Sequence, residues 1–259
     1  MEFDGKIALV TGAGSGLGAA AAIRLAKGGA DLVLLSRSAD ELQQVARQIG
    51  AEGRRAVIAV ASVDDAKAMQ DVFARIGHEF GRLDVLFANA GVNGAWAPID
   101  ELTPEEWDET LAINLRGTFL SLKYAVPLMK AQGGSIVITA SINGTRTFTT
   151  AGASAYASSK AGQFALGQMA ALELARYRIR VNVICPGAIE TEISDNTHQR
   201  HTERAKVPAE FPEGTVPLTR GKAGTAEEVA ELVAFLASDR ARHITGTPVW
   251  IDGAQSLLV

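Results

Sequence analysis

A tyrosine and a lysine stand four residues apart in the stretch SAYASSKAG, residues 154–162, of a chain with only three tyrosines. Residues four apart lie on one face of a helix, so a helix here would bring the ammonium group of Lys160 near the phenol of Tyr156. A nearby positive charge lowers a tyrosine pKa toward the range in which the phenol exchanges protons near neutral pH. The same spacing also fits a surface tyrosine packed on a lysine stem, so the pair needs further evidence.

A glycine-rich segment, TGAGSGLG at 11–18, follows an apolar run at 6–10 and precedes an alanine-rich helical pattern. Glycines let the backbone approach a pyrophosphate, and the next helix N-terminus presents free N–H groups. The order strand, glycine turn, helix predicts a dinucleotide site, although the spacing departs from G-x-G-x-x-G and a plain tight turn is the alternative. The predicted cofactor-binding residues are Gly12, Gly14, Ser15, Gly16, Leu17 and Gly18.

The second predicted strand ends at Ser36 and Arg37, which we also expect to contact the cofactor. An acidic residue here would accept a hydrogen bond from the ribose 2′-hydroxyl of NAD(H). An arginine would instead donate two charged hydrogen bonds to the 2′-phosphate of NADP(H). No acid stands at this place, so the sequence favours NADP(H) over NAD(H). An arginine that only meets solvent is the structural alternative.

The composition is that of a globular protein of 259 residues, 47% hydrophobic and 21% charged, which fits one large domain or two small ones. The net charge of −4 provides no basic field for nucleic acid. The N-terminus lacks a signal pattern and no apolar run approaches about 18 residues, so we expect no membrane partner and a cytoplasmic location. The single cysteine, Cys185, excludes an internal disulfide and a cysteine-cluster metal site.

Short apolar runs alternate with helix-patterned segments along the chain. The predicted strands are 6–10, 31–36, 56–61, 83–88, 135–139, 179–185 and 247–251, and the predicted helices are 17–28, 39–50, 65–80, 104–130, 156–176 and 226–237. This alternation predicts an α/β fold of βαβ units, whose seven parallel strands are flanked by helices on both faces. Capping boxes at Thr103–Glu106 and Thr225–Glu228 mark two helix starts.

Six motifs occur in order along the chain. They are TGAGSGLG at 11–18, NAGV at 89–92, Asn114 in LAINLRGTF, Ser141 in IVITASING, YASSK at 156–160 and PGAIET at 186–191. Together they resemble the classical short-chain dehydrogenase/reductase family over effectively the whole chain. The resemblance implies a single Rossmann domain over residues 1–259, with a substrate-binding lid at about 190–224. It also implies an oxidoreductase that interconverts a ketone or aldehyde and an alcohol.

The resemblance assigns the active site to Asn114, Ser141, Tyr156 and Lys160. Tyr156 would exchange a proton with the substrate oxygen, while Lys160 would lower the tyrosine pKa and hold the nicotinamide ribose. Ser141 would orient the substrate oxygen, and Asn114 would hold a water that links Lys160 to solvent. The remaining cofactor contacts that it implies are Val63, Asn89, Ala90, Gly91, Pro186, Gly187, Ile189 and Thr191, together with Tyr156 and Lys160.

Two departures from the family pattern concern the site. Ser62-Val63 stands where the family commonly has Asp-Val, so Val63 is the safer adenine contact. The loop from Ser141 to Tyr156 is somewhat longer than usual, so Ser141 is placed by its IVITAS context.

Substrate contacts are expected from loops at the carboxyl ends of the strands, with Trp96, Phe148 and the segment 190–217 as candidates. His198 and His201 have the spacing of a metal pair but lack a third ligand in sequence reach. We therefore predict a solvated lid helix at these histidines and no metal.

The small-molecule substrate, the direction of the reaction and its stereochemistry stay open. The alternatives are a 3-oxoacyl carrier-protein reductase, which would need a basic docking patch, and an NAD-dependent sugar or polyol dehydrogenase. An epimerase or dehydratase would need an extra domain. A cofactor-sensing binding protein is the non-enzyme alternative, against which the Asn-Ser-Tyr-Lys set argues. The family resemblance also implies a homo-oligomer, most often a tetramer built partly from the helices at 104–130 and 156–176.

Overall fold

The centre of the fold is a parallel sheet. The structure is a computed structural model that describes residues 1–191, 193, 196–206 and 214–258. The sheet strands are β1 (Ile7–Thr11), β2 (Asp31–Ser36), β3 (Ala56–Val60), β4 (Val85–Ala88), β6 (Gly134–Thr139), β7 (Ile179–Pro186) and β9 (Pro248–Ile251). Their spatial order is β3-β2-β1-β4-β6-β7-β9, and every neighbouring pair is parallel. The predicted seven-stranded parallel sheet is confirmed.

Helices cover both faces of the sheet, which is why its strands are near-continuous apolar runs. The described α-helices are α1 (Gly16–Lys27), α2 (Ala39–Ala51), α3 (Ala66–Phe80), α4 (Pro104–Leu111), α5 (Gly117–Met129), α6 (Ser154–Leu174) and α7 (Ala226–Ala237). One buried core joins the sheet to α1, α2 and α7, and a second joins its other face to α3, α5 and α6. None of the helices described combines the length and apolar character that a bilayer crossing requires.

The predicted helix at 104–130 is divided in two. It begins at the predicted capping box, in which the Glu106 backbone N–H donates to the Thr103 hydroxyl and the Thr103 N–H donates to the Glu106 carboxylate. A π-helical turn, Ala112–Arg116, then separates α4 from α5. Such turns are rare and frequently lie at functional sites, and this one contains Asn114.

A second, two-stranded parallel sheet joins the lid to the body of the fold. Its strands are β5 (Gly94–Trp96) and β8 (Thr197–Gln199), with Ala95 opposite His198. The predicted lid helix at the two histidines is therefore wrong, because His198 lies in β8 and His201 has a left-handed φ of 48°. The described residues contain no group of three His, Cys, Asp or Glu that could hold a metal ion. Residues 192, 194–195 and 207–213 of the predicted lid lie outside the described residues.

Candidate active site

The glycine loop lies between β1 and α1 and leaves the helix N-terminus uncapped. Gly12 has a φ of +66°, and a Cβ on Gly18 would lie 1.9 Å from the Gly12 carbonyl oxygen, so α1 approaches the loop this closely only with glycine there. The Ser15 side chain precedes α1 without making a cap hydrogen bond. The first turn of α1 thus keeps N–H groups for an anion, as a pyrophosphate site requires.

A cleft of about 500 Å³ opens at the carboxyl ends of the strands. The predicted cofactor residues that line it are Gly12, Gly14, Ser15, Gly16, Leu17, Ser36, Arg37, Val63, Asn89, Ala90, Gly91, Tyr156, Lys160, Pro186, Gly187, Ile189 and Thr191. Gly18 is the one predicted member that does not line the cleft, because its position serves the packing of α1 on the loop. The structure therefore brings the sequence-predicted set together at one place.

One acidic residue in this cleft was missed by the sequence analysis. Glu41 stands in the first turn of α2, four residues after Arg37, and lines the cleft with it. Its backbone N–H donates to the hydroxyl of Ser38, which caps the helix. The signal that could have found Glu41 is this spacing, since a residue one turn into the helix after β2 faces the same strand ends as Arg37.

Asn89 links three strand ends beneath the cleft. Its backbone N–H and that of Ala90 donate to the Thr11 hydroxyl at 2.9 and 3.0 Å, and its side-chain amide donates to the Thr11 carbonyl at 3.2 Å. Its side-chain oxygen accepts from the Thr139 hydroxyl at 3.2 Å. Because these bonds join β1, β4 and β6, Asn89 shapes the floor of the cleft.

Tyr156 and Lys160 lie one turn apart on α6, as the spacing predicts. The Lys160 ammonium nitrogen lies 5.5 Å from the centre of the Tyr156 ring and donates to the Thr139 carbonyl oxygen at 2.9 Å. Ser141 follows the end of β6, and its hydroxyl accepts from the Asn143 N–H at 3.1 Å. A hydrogen bond with Ser141 also acts on the Tyr156 phenol, where it lowers the pKa. Tyr156, Lys160 and Ser141 therefore form one buried cluster.

Burial governs the ionisation of this cluster. It raises the pKa of Tyr156 above its ordinary value, an effect that exceeds the lowering by Ser141. It also lowers the pKa of Lys160 to about 8. Burial thus shifts the tyrosine pKa in the direction opposite to the lowering that the sequence analysis expected from Lys160, because desolvation of the phenolate outweighs the Ser141 hydrogen bond. The phenol is a protonated acid at neutral pH.

Asn114 holds the π-helical turn against the loop that follows β4. Its side-chain oxygen accepts from the Val92 N–H at 2.8 Å, and its amide donates to the Val92 carbonyl at 2.9 Å and to the Ser159 hydroxyl at 3.0 Å. Its backbone carbonyl accepts from the Thr118 hydroxyl at 2.8 Å. Asn114 thus connects α6 to the cofactor cleft without lining it, and its bridging of a water stays a prediction.

A second cavity of about 400 Å³ adjoins the cleft at Tyr156 and Ser141. Trp96, a predicted substrate contact, lines it, with its ring centre 6.5 Å from that of Tyr156. Phe148 does not line it and is 74% exposed. The lid contributes Ile193 and Thr215 from the predicted segment 190–217. The second cavity therefore meets the cofactor cleft at the Tyr156 phenol.

Ion pairs hold the described arm of the lid beside this cavity. Arg200 donates to both carboxylate oxygens of Glu106, at 2.8 and 3.0 Å, and to the Glu101 carbonyl at 2.6 Å. The Glu101 carboxylate lies 2.7 Å from the His201 ring and also pairs with Arg204. Arg200 and Arg204 of the lid are thus paired with Glu106 in the first turn of α4 and with Glu101 just before it.

Known proteins that resemble this chain are reductases and dehydrogenases. A family model described as enoyl-(acyl carrier protein) reductase matches residues 12–254. Levodione reductase of Leifsonia aquatica is 39% identical over 259 residues, 98% of this chain and 96% of that protein. The crystal structure of a 3-ketoacyl-ACP reductase from Sinorhizobium meliloti 1021 has a TM-score of 0.94 at 54% identity, covering 98% of this chain and 100% of that one.

A nicotinamide cofactor, NAD or NADH, is present in three related structures. The crystal structure of 3-ketoacyl-(acyl-carrier-protein) reductase from Brucella melitensis complexed with NADH has a TM-score of 0.85 at 29% identity, over 98% of this chain and 99% of that one. These relatives are enzymes, which sets aside the cofactor-sensing alternative. The chain belongs to the classical short-chain dehydrogenase/reductase family and is an NAD(P)-dependent oxidoreductase that acts between ketones and alcohols.

Proposed function

We propose that this chain interconverts a ketone or aldehyde and the corresponding alcohol with NADP(H), and that Tyr156 carries the proton. The observation that supports the proposal is the position of Tyr156 and Ser141, which line both the cofactor cleft and the second cavity. A carbonyl oxygen in the second cavity would therefore meet the phenol at the boundary with the cofactor cleft.

The ionisation of the cluster favours proton donation. A bound nicotinamide supplies or accepts the hydride. Tyr156 is protonated at neutral pH, so its phenol O–H can protonate the oxygen of a carbonyl under reduction. The Ser141 hydroxyl would orient that oxygen, and the Lys160 ammonium would stabilise the phenolate left behind. Burial keeps water away from all three groups and strengthens their interactions.

The residues of the cleft fit a dinucleotide. The glycine loop and α1 N-terminus would hold the pyrophosphate, and Arg37 would bind the 2′-phosphate of NADP(H). We assign the adenine contact to Val63 and the ribose contacts to Asn89, Ala90, Gly91 and Lys160. The nicotinamide carboxamide is assigned to Pro186, Gly187, Ile189 and Thr191, which line the cleft beside Tyr156.

The decisive experiment is the consumption of NADPH and NADH against a panel of ketones, aldehydes and 3-oxoacyl thioesters. We expect a preference for NADPH, and a loss of about 10²–10⁴-fold in kcat for Tyr156→Phe that far exceeds any change in NADP⁺ binding. Tyr124→Phe is the matched control, because Tyr124 packs on Phe73 outside both cavities. Full activity of Tyr156→Phe would contradict the assignment of Tyr156 as the proton donor.

Reduction of a carrier-protein thioester is the second candidate, supported by the similarity to the Sinorhizobium meliloti reductase. Such a substrate needs basic groups at the active-site mouth, yet Arg200 and Arg204 of the described lid arm are paired with Glu106 and Glu101. Comparing kcat/KM for a 3-oxoacyl carrier protein and for the same acyl group on a small thiol separates the two functions. A strong advantage of the carrier protein would establish the second.

We further propose that the chain forms a homotetramer through α5 and α6. Phe119 is 48%, Met169 71% and Leu172 83% exposed, whereas Leu122 of α5 is buried in the core. Light scattering of wild type and Leu172→Asp tests this assignment. We expect a tetramer and a smaller species, respectively, and a monomeric wild type would contradict it.

The segment 190–224 is proposed to act as the substrate lid of this single domain, and a cytoplasmic location stays a prediction of the sequence. Ile193 and Thr215 support the lid assignment because they line the cavity at Tyr156. Limited proteolysis with and without NADP⁺ and substrate measures whether this segment becomes protected. Fractionation of cells tests the location.

A further inference from the structure

A chain of buried polar side chains joins α6 to α5 beside the active site. Gln163 is fully buried, and its side-chain amide donates to the Thr118 hydroxyl at 2.7 Å. The Thr118 hydroxyl in turn donates to the Asn114 backbone carbonyl at 2.8 Å. A hydroxyl has one proton, so Thr118 must accept from Gln163 when it donates to Asn114. The hydrogen bonds therefore run in one direction, from Gln163 to Asn114.

Stability does not explain the amide of Gln163. Its side-chain oxygen is buried and has no hydrogen-bond partner among the described residues. A buried acceptor without a partner costs free energy, whereas an apolar side chain of similar length would avoid that cost. Residues that break such a packing rule are expected at functional sites. The contribution of Gln163 is thus its hydrogen bond to Thr118.

The chain of hydrogen bonds ends on the π-helical turn between α4 and α5. In this turn the Gly117 N–H donates to the Ala112 carbonyl, five residues earlier, which interrupts the ordinary helical register around Asn114. The Thr118 hydroxyl ties the Asn114 carbonyl to the first turn of α5, and Gln163 ties that hydroxyl to α6. Two side chains from outside the turn therefore hold it in place.

Asn114 contacts both sides of the reacting centre. Its side chain bonds to both backbone groups of Val92, which lines the cofactor cleft. It also donates to the Ser159 hydroxyl, which donates to the Tyr156 backbone carbonyl at 2.7 Å. A shift of Asn114 would therefore move the wall of the cleft relative to the phenol. Catalysis is sensitive to displacements of about 1 Å between reacting groups.

We infer that Gln163 and Thr118 are positioning residues, which hold Asn114 in the π-helical turn and thereby fix the cofactor cleft relative to Tyr156. Neither residue lines the cleft or the second cavity, so both act through Asn114 and not by contact with a ligand. This inference rests on the proposed function, in which Tyr156 carries the proton.

Two substitutions of nearly constant volume break the chain at different points. Thr118→Val removes the hydroxyl, and Gln163→Met removes the amide. We expect kcat for the fastest ketone of the panel to fall by about tenfold in Thr118→Val and by a smaller factor in Gln163→Met, with little change in NADP⁺ affinity. Gln163→Met should not lower the melting temperature, because it also removes the unmet oxygen. A merely structural Gln163 would lower the melting temperature and leave kcat unchanged.

Ser121 provides the matched control. Its hydroxyl is also buried on α5 and also donates to the carbonyl four residues earlier, that of Gly117, at 2.8 Å. This bond does not reach Asn114, so Ser121→Ala should leave kcat unchanged. Thr118→Ser retains the hydroxyl and should recover most of the kcat that Thr118→Val loses.

A double-mutant cycle tests whether Gln163 acts through Thr118. The double variant should lose no more kcat than Thr118→Val alone, because the amide then has no hydroxyl to hold. Additive losses would contradict this route.

Hydrogen exchange, followed by mass spectrometry in the presence of NADP⁺, tests the same chain without a substrate. Backbone amides of residues 112–118 should exchange faster in Thr118→Val and Gln163→Met than in wild type and Ser121→Ala. The inference is overturned if exchange in this segment is unchanged, or if Thr118→Val keeps full kcat while Tyr156→Phe loses it. The proposed function fails separately, by full activity of Tyr156→Phe.

Discussion

Glu41 lies directly against Gly14 in the cofactor cleft. A Cβ on Gly14 would be 2.4 Å from a Glu41 carboxylate oxygen, so the glycine is what leaves room for this acid. Arg37, four residues earlier in the sequence and just before α2, lines the same cleft. The cleft thus presents the Arg37 cation, which would attract a 2′-phosphate. The Glu41 carboxylate in the same cleft would repel the cofactor phosphates.

This arrangement predicts opposite effects on cofactor choice. Arg37→Gln should weaken NADP⁺ binding by about tenfold or more through loss of a charge-assisted hydrogen bond, with little effect on NAD⁺. Glu41→Gln should tighten NADP⁺ binding several-fold, because removing a nearby negative charge is worth roughly 1 kcal/mol. Fluorescence titration of both cofactors measures these constants. Equal changes for NADP⁺ and NAD⁺ in Arg37→Gln would refute the assignment of the 2′-phosphate.

Lys160 predicts a specific pH dependence of stability. Its pKa falls from 10.5 in the unfolded chain to about 8 in the fold, because the ammonium is buried. Between these values the unfolded chain binds more protons, so the contribution of Lys160 to stability is present above 10.5 and is lost as the pH falls through 8. The full effect is roughly 3 kcal/mol.

Urea unfolding between pH 7 and pH 10 measures this contribution against Lys160→Met. The free energy of unfolding of wild type should rise relative to the variant as the pH increases. Comparison with the variant cancels the titration of groups that both proteins share. Parallel curves over this range would show that Lys160 is not buried as an ammonium.

The two capping boxes provide a matched test of the lid contact. Glu106 and Glu228 each close a box with a threonine, but Glu106 also binds Arg200 of the lid arm, which lowers its pKa to about 2. Gln can replace Glu in a capping box. Glu228→Gln should therefore be nearly neutral, whereas Glu106→Gln should cost about 1 kcal/mol and raise KM.

The contact between Glu106 and Arg200 should lose its stabilising effect at acidic pH, whereas the effect of Lys160 changes at alkaline pH. The contribution of Glu106 is present above its ordinary pKa of 4.5 and is lost as the pH falls toward 2. Urea unfolding of both variants and wild type at neutral and acidic pH tests this. Equal losses of unfolding free energy in Glu106→Gln and Glu228→Gln would show that the ion pair between Arg200 and Glu106 does not stabilise the protein.

Two helical glycines predict opposite outcomes for the same substitution. Gly18→Ala should abolish cofactor binding or folding, since its Cβ would lie 1.9 Å from the Gly12 carbonyl oxygen. Gly50, in α2, has nothing within 4 Å of an added Cβ. Gly50→Ala should stabilise the protein by roughly 0.5–1 kcal/mol. Urea unfolding and NADP⁺ titration of both variants check this, and tolerance of Gly18→Ala would contradict the close approach of α1.

Features that depend on neighbouring residues were predictable from the sequence. The seven sheet strands follow from short apolar runs, because a strand buried on both faces needs no polar alternation. The starts of α4 and α7 follow from capping boxes within four residues. The pairing of Tyr156 with Lys160 follows from the helical period. The cofactor cleft follows from motifs that each end a strand, and parallel strands end at one edge of the sheet.

What only the tertiary structure decided depends on contacts between distant segments. The pairing of β5 with β8 joins segments about a hundred residues apart, and strands of three residues carry no pattern of their own. The raised pKa of Tyr156 follows from burial by several elements, which the Tyr-Lys spacing does not report. The place of Glu41 in the cofactor cleft likewise follows from the packing of α2 beside the glycine loop. Local periodicity determines which segments form helices and strands. Desolvation and cavity shape depend on how all of these segments pack together.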